Sequence, residues 1–166
     1  VSIIMYLQFL CIGIYFGFSM GLSTPLGYAY GDRNFSVCRV LEKYAYRFFS
    51  IAPIILYGCT YLLAPIGVRF FASPGSTVFD MAVSGLRLYG LGFLFSGINI
   101  FAAIRMMTYG KGYISGMITF LRSFALLLLF LTILPRFLEL NGIWLAVPGA
   151  EILTLIVALW TLRKKL

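Results

Sequence analysis

The stretch GMITFLRSFALLLLFLTILPRFLELNGIWLAVPGAEILTLIVALWTL, residues 116–162, decides the fold class of this chain. It is mostly apolar, yet it places Arg122 and Glu151 inside its two most hydrophobic runs. A helix needs about 20 apolar residues to cross a bilayer, and each of these runs has that length. Ionisable groups in hydrocarbon are costly, so they usually face a protein interior, find a partner or mark a transport path. The stretch therefore predicts lipid-embedded helices with two informative charges.

The composition agrees with a membrane protein, because 61% of the 166 residues are hydrophobic and 11% are charged. Soluble domains contain about 25% charged residues, so this chain cannot build a water-exposed surface of the usual kind. The net charge of +8 is carried mainly by residues at predicted helix ends. This placement favours an anionic lipid surface, and not nucleic acid, as the partner of the basic residues.

Metal, disulfide and catalytic sites are not expected. The chain has no His and five acidic residues, whereas a buried metal site needs several His, Cys or carboxylate ligands close together. Its three cysteines show no paired spacing, which argues against a disulfide framework. No membrane serine has a neighbouring base, and the glycine clusters do not form a nucleotide-binding fingerprint. We therefore expect neither an enzyme nor a bound cofactor.

Apolar runs and turn residues divide the chain into spans. Five segments are long enough to cross a bilayer: Ser2–Leu22, Phe48–Phe71, Leu86–Met107, Tyr113–Leu134 and Ile143–Leu162. Turn-forming residues separate them, for example Ser73-Pro74-Gly75-Ser76 and Asn141-Gly142. The sequence predicts an all-α integral membrane protein, with residues 1–166 forming a single bundle of five transmembrane helices.

The basic residues predict the orientation of this bundle. One side collects nine of them: Arg33, Arg39, Lys43, Arg47, Arg105, Lys111, Arg163, Lys164 and Lys165. The other side has three: Arg69, Arg87 and Arg136. Loops rich in Lys and Arg stay on the cytoplasmic side. We therefore expect a multi-pass protein of the plasma membrane with a cytoplasmic C-terminus.

The chain opens directly in a hydrophobic run, Val1-Ser2-Ile3-Ile4, with no initiator Met and no basic segment of a signal peptide. This start and the odd number of spans favour a piece of a longer protein. A complete short protein is the alternative.

Arg122 and Glu151 are predicted to lie at similar depths. Arg122 follows Tyr113 by nine residues and Glu151 follows Ile143 by eight, so on antiparallel helices their depths differ by about 4–5 Å. Consecutive spans often pack as antiparallel neighbours. We expect an ion pair or a hydrogen-bonded relay inside the bundle. In the alternative interpretation, Pro148 begins the stable helix and Glu151 is a first-turn acid stabilised by the helix dipole.

Other polar and small residues within the spans have less specific meanings. Asn99 has a strong hydrogen-bonding side chain in an apolar run, where it either lines a cavity or bridges two helices. Gly13, Gly17 and Gly21 recur at four-residue spacing on one face of the first span. This small-residue pattern predicts a close helix contact and says nothing of a substrate.

Two motifs resemble signatures of the multidrug and toxic compound extrusion (MATE) family. The segment GLSTPLGYAYGDRN, residues 21–34, is similar to the family's helix end and basic loop. The segment NGIWLAVPGAE, residues 141–151, is similar to its final helix, and Arg122 occupies the place of an Arg common in the preceding helix. The residues that carry the match are Pro25, Tyr28, Tyr30, Gly31, Asn34, Gly142, Trp144 and Pro148.

The resemblance implies that the chain corresponds to helices 8–12, in the second lobe of a twelve-helix exporter, with the first lobe and helix 7 absent. It implies a secondary active antiporter that exports lipophilic or cationic drugs and metabolites, driven by H⁺ or Na⁺. Glu151, Arg122 and Asn99 are then candidates for coupling or for lining the cavity. The partners would be the lipid bilayer, the missing N-terminal lobe and a small lipophilic or cationic substrate.

The chain departs from the family pattern at two places. Ala29 replaces an Asn between the two tyrosines, and Asn99 lies where some branches carry a cation-binding acid. Two other functions remain open: a lipid-linked precursor flippase of the same superfamily, and a non-catalytic membrane assembly subunit.

Overall fold

A computed structural model describes residues 2–70 and 73–163 of the chain, and every regular element in this part is helical. The elements are α1 (Ser2–Gly31), α2 (Phe35–Arg69), α3 (Thr77–Gly90), α4 (Phe93–Thr108), α5 (Gly112–Phe120), a π-helical turn (Leu121–Ala125) and α6 (Leu126–Arg163). The expected all-α class is confirmed. Phe71, the predicted end of the second span, and the basic residues Lys164 and Lys165 lie outside the described residues.

The expected count of five separate spans is wrong. In the described part of the chain, four helical stretches have the length and apolar composition to cross a membrane: Ile4–Gly31, Phe35–Arg69, Thr77–Thr108 and Gly112–Arg163. The predicted fourth and fifth spans, Tyr113–Leu134 and Ile143–Leu162, both lie within the last of these stretches. The turn predicted at Asn141-Gly142 is instead part of the helical backbone.

This last stretch of 52 residues folds back on itself at Glu139. A straight helix of that length would be about 78 Å long, more than twice the roughly 30 Å of a bilayer core. Glu139 leaves the helical conformation, with φ 49° and ψ −125°. One turn earlier, Pro135 lacks the N–H that would continue the hydrogen-bond ladder. The chain therefore reverses three residues before the glycine that the sequence suggested.

Two other boundaries differ from the predictions. Helix α2 begins at Phe35, so Arg39, Lys43 and Arg47 belong to its first turns and not to a loop. The third span begins at Thr77 and is interrupted between Gly90 and Phe93. Helix α1 also continues beyond Leu22, the predicted end of the first span, and reaches Gly31 with Pro25 inside it.

Helix α4 occupies the centre of the bundle and packs against α1, α2, α5 and α6. Its side chains are buried on nearly all sides. The phenol of Tyr15 in α1 donates a hydrogen bond of 2.9 Å to the carbonyl of Phe93 at the start of α4. Helix α4 is thus the central helix, and polar side chains of the surrounding helices contact it.

The glycines at positions 13, 17 and 21 do not form the predicted close contact. Among the described residues, no atom beyond the helix's own backbone lies within 4 Å of where a Cβ would stand at any of the three. The contact that α1 does make is on its other faces, with α2 and α4.

Candidate functional site

The carboxylate of Glu151 is the centre of a buried polar cluster. Its side chain is 6% exposed and lies one turn after Pro148 in α6. Arg122 Nε donates to Oε1 at 2.8 Å, and Asn99 Nδ2 donates to Oε2 at 2.7 Å. Ser96 Oγ lies 2.9 Å from Oε1. The ion pair expected between Arg122 and Glu151 is therefore present, and the donors come from α4 and the π-helical turn.

The backbone around Arg122 is a π-helical turn. The Leu126 N–H bonds to the carbonyl of Leu121, five residues back. Turns of this kind are found inside α-helices, frequently at functional sites. They rotate one side chain out of the regular helical register. Here the rotated register places Arg122 toward the returning arm of the hairpin, where Glu151 lies.

Asn99 and Ser96 do more than fill space between helices. The Asn99 amide nitrogen also donates to the backbone carbonyl of Glu151 at 2.9 Å, while its Oδ1 is buried and has no hydrogen-bond partner among the described residues. The Ser96 hydroxyl lies 2.8 Å from the carbonyl of Gly92 as well as next to Glu151. A hydroxyl has one proton, so Ser96 donates to one of these acceptors at a time.

A cavity of 310 Å³ lies directly beside the cluster. Its lining consists of Gln8, Ile12, Tyr89, Arg122, Ser123, Leu127, Val147, Ala150 and Glu151. At its edge the Tyr89 hydroxyl donates to Gln8 Oε1 at 2.5 Å. Arg122 and Glu151 of the predicted site residues face this cavity, whereas Asn99 holds the carboxylate from behind.

The second motif builds the hairpin that brings these groups together. At Gly142 a Cβ would stand 2.4 Å from the carbonyl group of Leu134, so only glycine permits the two arms to approach here. The indole of Trp144 covers Gly85 of α3, at 2.6 Å from where a Cβ would stand. Pro148 is buried against Gly92, at the break before α4.

A second buried ion pair, which the sequence did not indicate, joins Glu42 of α2 to Arg105 of α4. The Tyr109 hydroxyl donates to the same carboxylate at 2.6 Å, and the Arg105 guanidinium lies 5.0 Å from the Tyr109 ring centre. Arg105 was expected at a cytoplasmic loop, but it is 3% exposed. One feature of the sequence could have suggested this pair: Glu42 is the single acidic residue in the basic stretch from Arg39 to Arg47.

The first motif reaches the second pair through Tyr30, and none of its residues lines the cavity. Tyr30 packs on the ring of Tyr109 with centres 4.5 Å apart. Asn34 caps α2 by accepting a hydrogen bond from the Val37 N–H. Gly31 ends α1, and Pro25 lies one helical turn and a half before it. Tyr28 is 74% exposed. None of these five residues contacts Glu151 in the described structure.

The phenol of Tyr109 remains a proton donor in this environment. Burial, and after it the hydrogen bond to Glu42 and the negative charge of that carboxylate, raise the pKa of Tyr109 well above its ordinary value. The hydroxyl therefore stays protonated at every physiological pH and keeps its bond to Glu42.

The polar residues of the described chain do not assemble a metal site of the usual kind. No group of three or more His, Cys, Asp or Glu side chains comes together between residues 2 and 70 or between 73 and 163. Glu151 is surrounded by donors, and Glu42 faces a guanidinium and a phenol. The neighbours of both carboxylates are therefore hydrogen-bond donors and not further metal ligands.

No protein-family model matches the chain, and no curated protein matches it. Among solved structures, it is similar to one described as the inward-facing conformation of a multidrug resistance MATE family transporter of the MOP superfamily. The TM-score is 0.86 over 97% of this chain, at 21% sequence identity. The chain spans 38% of the length of that transporter. The expected resemblance is thus confirmed at the level of the fold.

Proposed function

We propose that this chain is part of the second lobe of a MATE-type secondary active transporter. The protein would export lipophilic or cationic compounds and draw energy from a gradient of H⁺ or Na⁺. The single observation that carries this proposal is the buried Glu151 carboxylate beside a cavity, within a fold that matches such a transporter. Ionisable groups at this depth are retained mainly for transport or proton relay.

Coupling would act through the charge of Glu151. In its ionised form the carboxylate accepts bonds from Arg122, Asn99 and Ser96. Binding of a proton or sodium ion removes or offsets that charge, so the bonds that tie α4 to the hairpin weaken together. The free energy available is large, because charge-assisted bonds in a dry interior are roughly twice as strong as neutral ones.

Asn99 would let the site accommodate both charge states. With Glu151 ionised, Nδ2 donates to the carboxylate and Oδ1 is unpaired. Rotation of the amide by half a turn presents Oδ1 to a protonated carboxyl group, which then becomes the donor, and gives up the Nδ2 bond to the backbone carbonyl of Glu151. The cluster thus supports two arrangements, as a conformational switch requires. In transporters of this architecture such a change is transmitted as rocking of one lobe against the other.

The basic residues support a multi-pass protein of the plasma membrane with its C-terminus in the cytoplasm. Helix α1 ends, α2 begins, α4 ends and α6 ends at the same end of the bundle. The basic residues at that end include the buried Arg105 and five exposed ones: Arg33, Arg39, Lys43, Lys111 and Arg163. Such an excess marks the cytoplasmic side of membrane proteins.

The test is gradient-driven efflux by the protein at its full natural length in proteoliposomes. The substrate is a fluorescent lipophilic cation, and pH and sodium gradients are imposed separately. Glu151→Gln should abolish gradient-dependent transport while the protein still folds. Glu139→Gln is the matched control, since it changes an exposed acid of the same helix and should leave transport unchanged. Full gradient-dependent activity in Glu151→Gln would refute the proposal.

A further inference from the structure

The guanidinium of Arg122 has more donors than its ion pair uses. Only Nε bonds to Glu151, and among the described residues the terminal nitrogens have no acceptor. The side chain is 16% exposed and lines the cavity. Four N–H groups of the Arg122 guanidinium are therefore available to a ligand in the cavity.

Other polar groups around the cavity reinforce this surplus of donors. Gln8 accepts from Tyr89 through its oxygen, which leaves its amide NH₂ free to donate. The strongest acceptor in the wall, Glu151, already receives bonds from Arg122 and Asn99, and a third when Ser96 directs its proton to it. The cavity beside Arg122 thus offers more free donors than acceptors, and the Ser123 hydroxyl in its wall can act as either.

Apart from the hydroxyl of Ser123, the remaining wall is apolar and continues outward. Its apolar residues are Ile12, Leu127, Val147 and Ala150. A neighbouring cavity of 460 Å³ shares Gln8 and Ile12 and adds Met5, Tyr6 and Phe9. A ligand that fits both would have a hydrogen-bond-accepting head against Arg122 and a flat or branched apolar body along α1.

We propose that the cavity beside Arg122 binds the oxyanion of a small amphiphilic molecule, such as an aryl carboxylate or phosphonate. This rests on the proposed function and adds to it a class of compound, the amphiphilic anion, that this lobe would bind besides the lipophilic and cationic compounds named above. The head group would receive a bidentate pair of hydrogen bonds from the terminal nitrogens of Arg122, the geometry in which guanidinium and carboxylate match. A volume near 300 Å³ lies at the lower end of ligand pockets and suits a head group with one ring.

The charge of Glu151 sets the strength of this site. The ionised carboxylate bonds to the same guanidinium and repels a second anion. Neutralising Glu151 leaves the Arg122 charge uncompensated, so the oxyanion binds more tightly. A lipophilic cation shows the opposite response. Arg122 repels it and the Glu151 charge attracts it, so neutralising Glu151 weakens its binding. A zwitterion can bind through its carboxylate.

The experiment compares three ligands that share one ring system: 2-naphthoate, neutral 2-naphthamide and cationic 2-naphthylmethylammonium. Binding to the full-length protein in lipid nanodiscs is measured by titration calorimetry. 2-Naphthoate should bind best, and Arg122→Gln should weaken it about tenfold or more, as expected for loss of a charge-assisted bidentate contact. Glu151→Gln should strengthen it several-fold. Arg136→Gln, which removes an exposed Arg of α6, should change nothing.

Each result decides the proposal. If wild type fails to bind 2-naphthoate, or Arg122→Gln binds it equally well, the oxyanion site is wrong. Should Arg122→Gln fail to fold, Arg122→Gln/Glu151→Gln removes both charges and must still lose naphthoate binding. Arg122-dependent binding without gradient-driven transport would reject the proposed function and retain the site.

Discussion

The two buried ion pairs of this molecule have the same chemistry and different surroundings. In each, the Nε of an Arg bonds to the Oε1 of a Glu, and a third side chain donates to the same carboxylate. The Glu42–Arg105 pair is closed by the ring of Tyr109; the Arg105 side chain is 3% exposed and the Glu42 side chain 11%, against 6% for Glu151. The Glu151–Arg122 pair lies on a π-helical turn beside a cavity, and the Arg122 side chain is 16% exposed.

This difference separates a structural pair from one that can change state. Removing Arg105 takes the opposite charge away from a buried carboxylate and leaves Glu42 with the hydroxyl of Tyr109, which is strongly unfavourable. At an open pair, water or a ligand can replace the missing partner. We therefore expect Glu42–Arg105 to hold α2 on α4 through the transport cycle, while Glu151–Arg122 exchanges bonds during it.

The largest effect should come from breaking the sealed pair. Arg105→Met should lower the free energy of unfolding by about 3–5 kcal/mol, because Glu42 is left buried and charged. Arg122→Met should cost about 1–2 kcal/mol, since Glu151 keeps Asn99 and Ser96 and has access to the cavity. Denaturant unfolding in mixed micelles measures both.

The double variant Glu42→Leu/Arg105→Met is the control for this comparison. Replacing both members of a buried pair by apolar residues of similar volume is often neutral. Most of the lost stability should return. Equal losses in Arg105→Met and Arg122→Met would contradict the distinction between a sealed and an open pair.

The hairpin that forms the open pair gives the next effect. At Gly142 an added methyl group would meet the carbonyl of Leu134 at 2.4 Å, so Gly142→Ala should cost about 1–3 kcal/mol and separate Arg122 from Glu151. Gly116→Ala is the matched control in the same stretch, because nothing described lies within 4 Å of its Cβ position. It should be neutral or stabilising. Thermal unfolding with a gradient-driven transport assay measures both consequences.

The open pair was predictable from sequence, and the sealed one was not. Arg122 and Glu151 stand out because each interrupts a long apolar run, and helical rise then places them at similar depths. Ser96 could have been added, since it precedes Asn99 by three residues and shares its helix face. Glu42 and Arg105 lie near basic helix ends, where charged residues are ordinarily solvated. Only the packing of α2 on α4 shows that they are buried.

The helix boundaries failed for a related reason. Turn residues such as Asn141-Gly142 mark places where a chain is able to reverse, but Pro135 and the close packing of the arms shift the reversal to Glu139. The π-helical turn at Leu121–Ala125 has no sequence signal that we recognise. Likewise, the spacing of Gly13, Gly17 and Gly21 predicts a contact, although the described structure makes none there. Tertiary packing decided each of these features.

A smaller effect is expected from the phenol that closes the sealed pair. Tyr109→Phe removes the 2.6 Å hydrogen bond to Glu42 and keeps the ring against Tyr30 and Arg105. Stability should fall by about 1–2 kcal/mol, in the range for a bond to a charged group, and the transport rate per folded molecule should not change. Thermal unfolding and transport assays on the same preparation measure the two quantities. A loss of transport at full stability would assign the sealed pair to the transport cycle.

The smallest change in stability, and the sharpest test of the comparison, is expected from Ser96→Ala. This variant removes one hydroxyl that lies between the Gly92 carbonyl and Glu151. Because the hydroxyl has a single proton to donate, the folded state should lose only about 1 kcal/mol. The transport rate should nevertheless change several-fold, since Glu151 loses a donor that distinguishes its two charge states. Thr161→Val, which removes a buried hydroxyl bonded within α6, should leave the rate unchanged. If both variants transport like wild type, the donors around Glu151 serve stability alone, and the two ion pairs are alike after all.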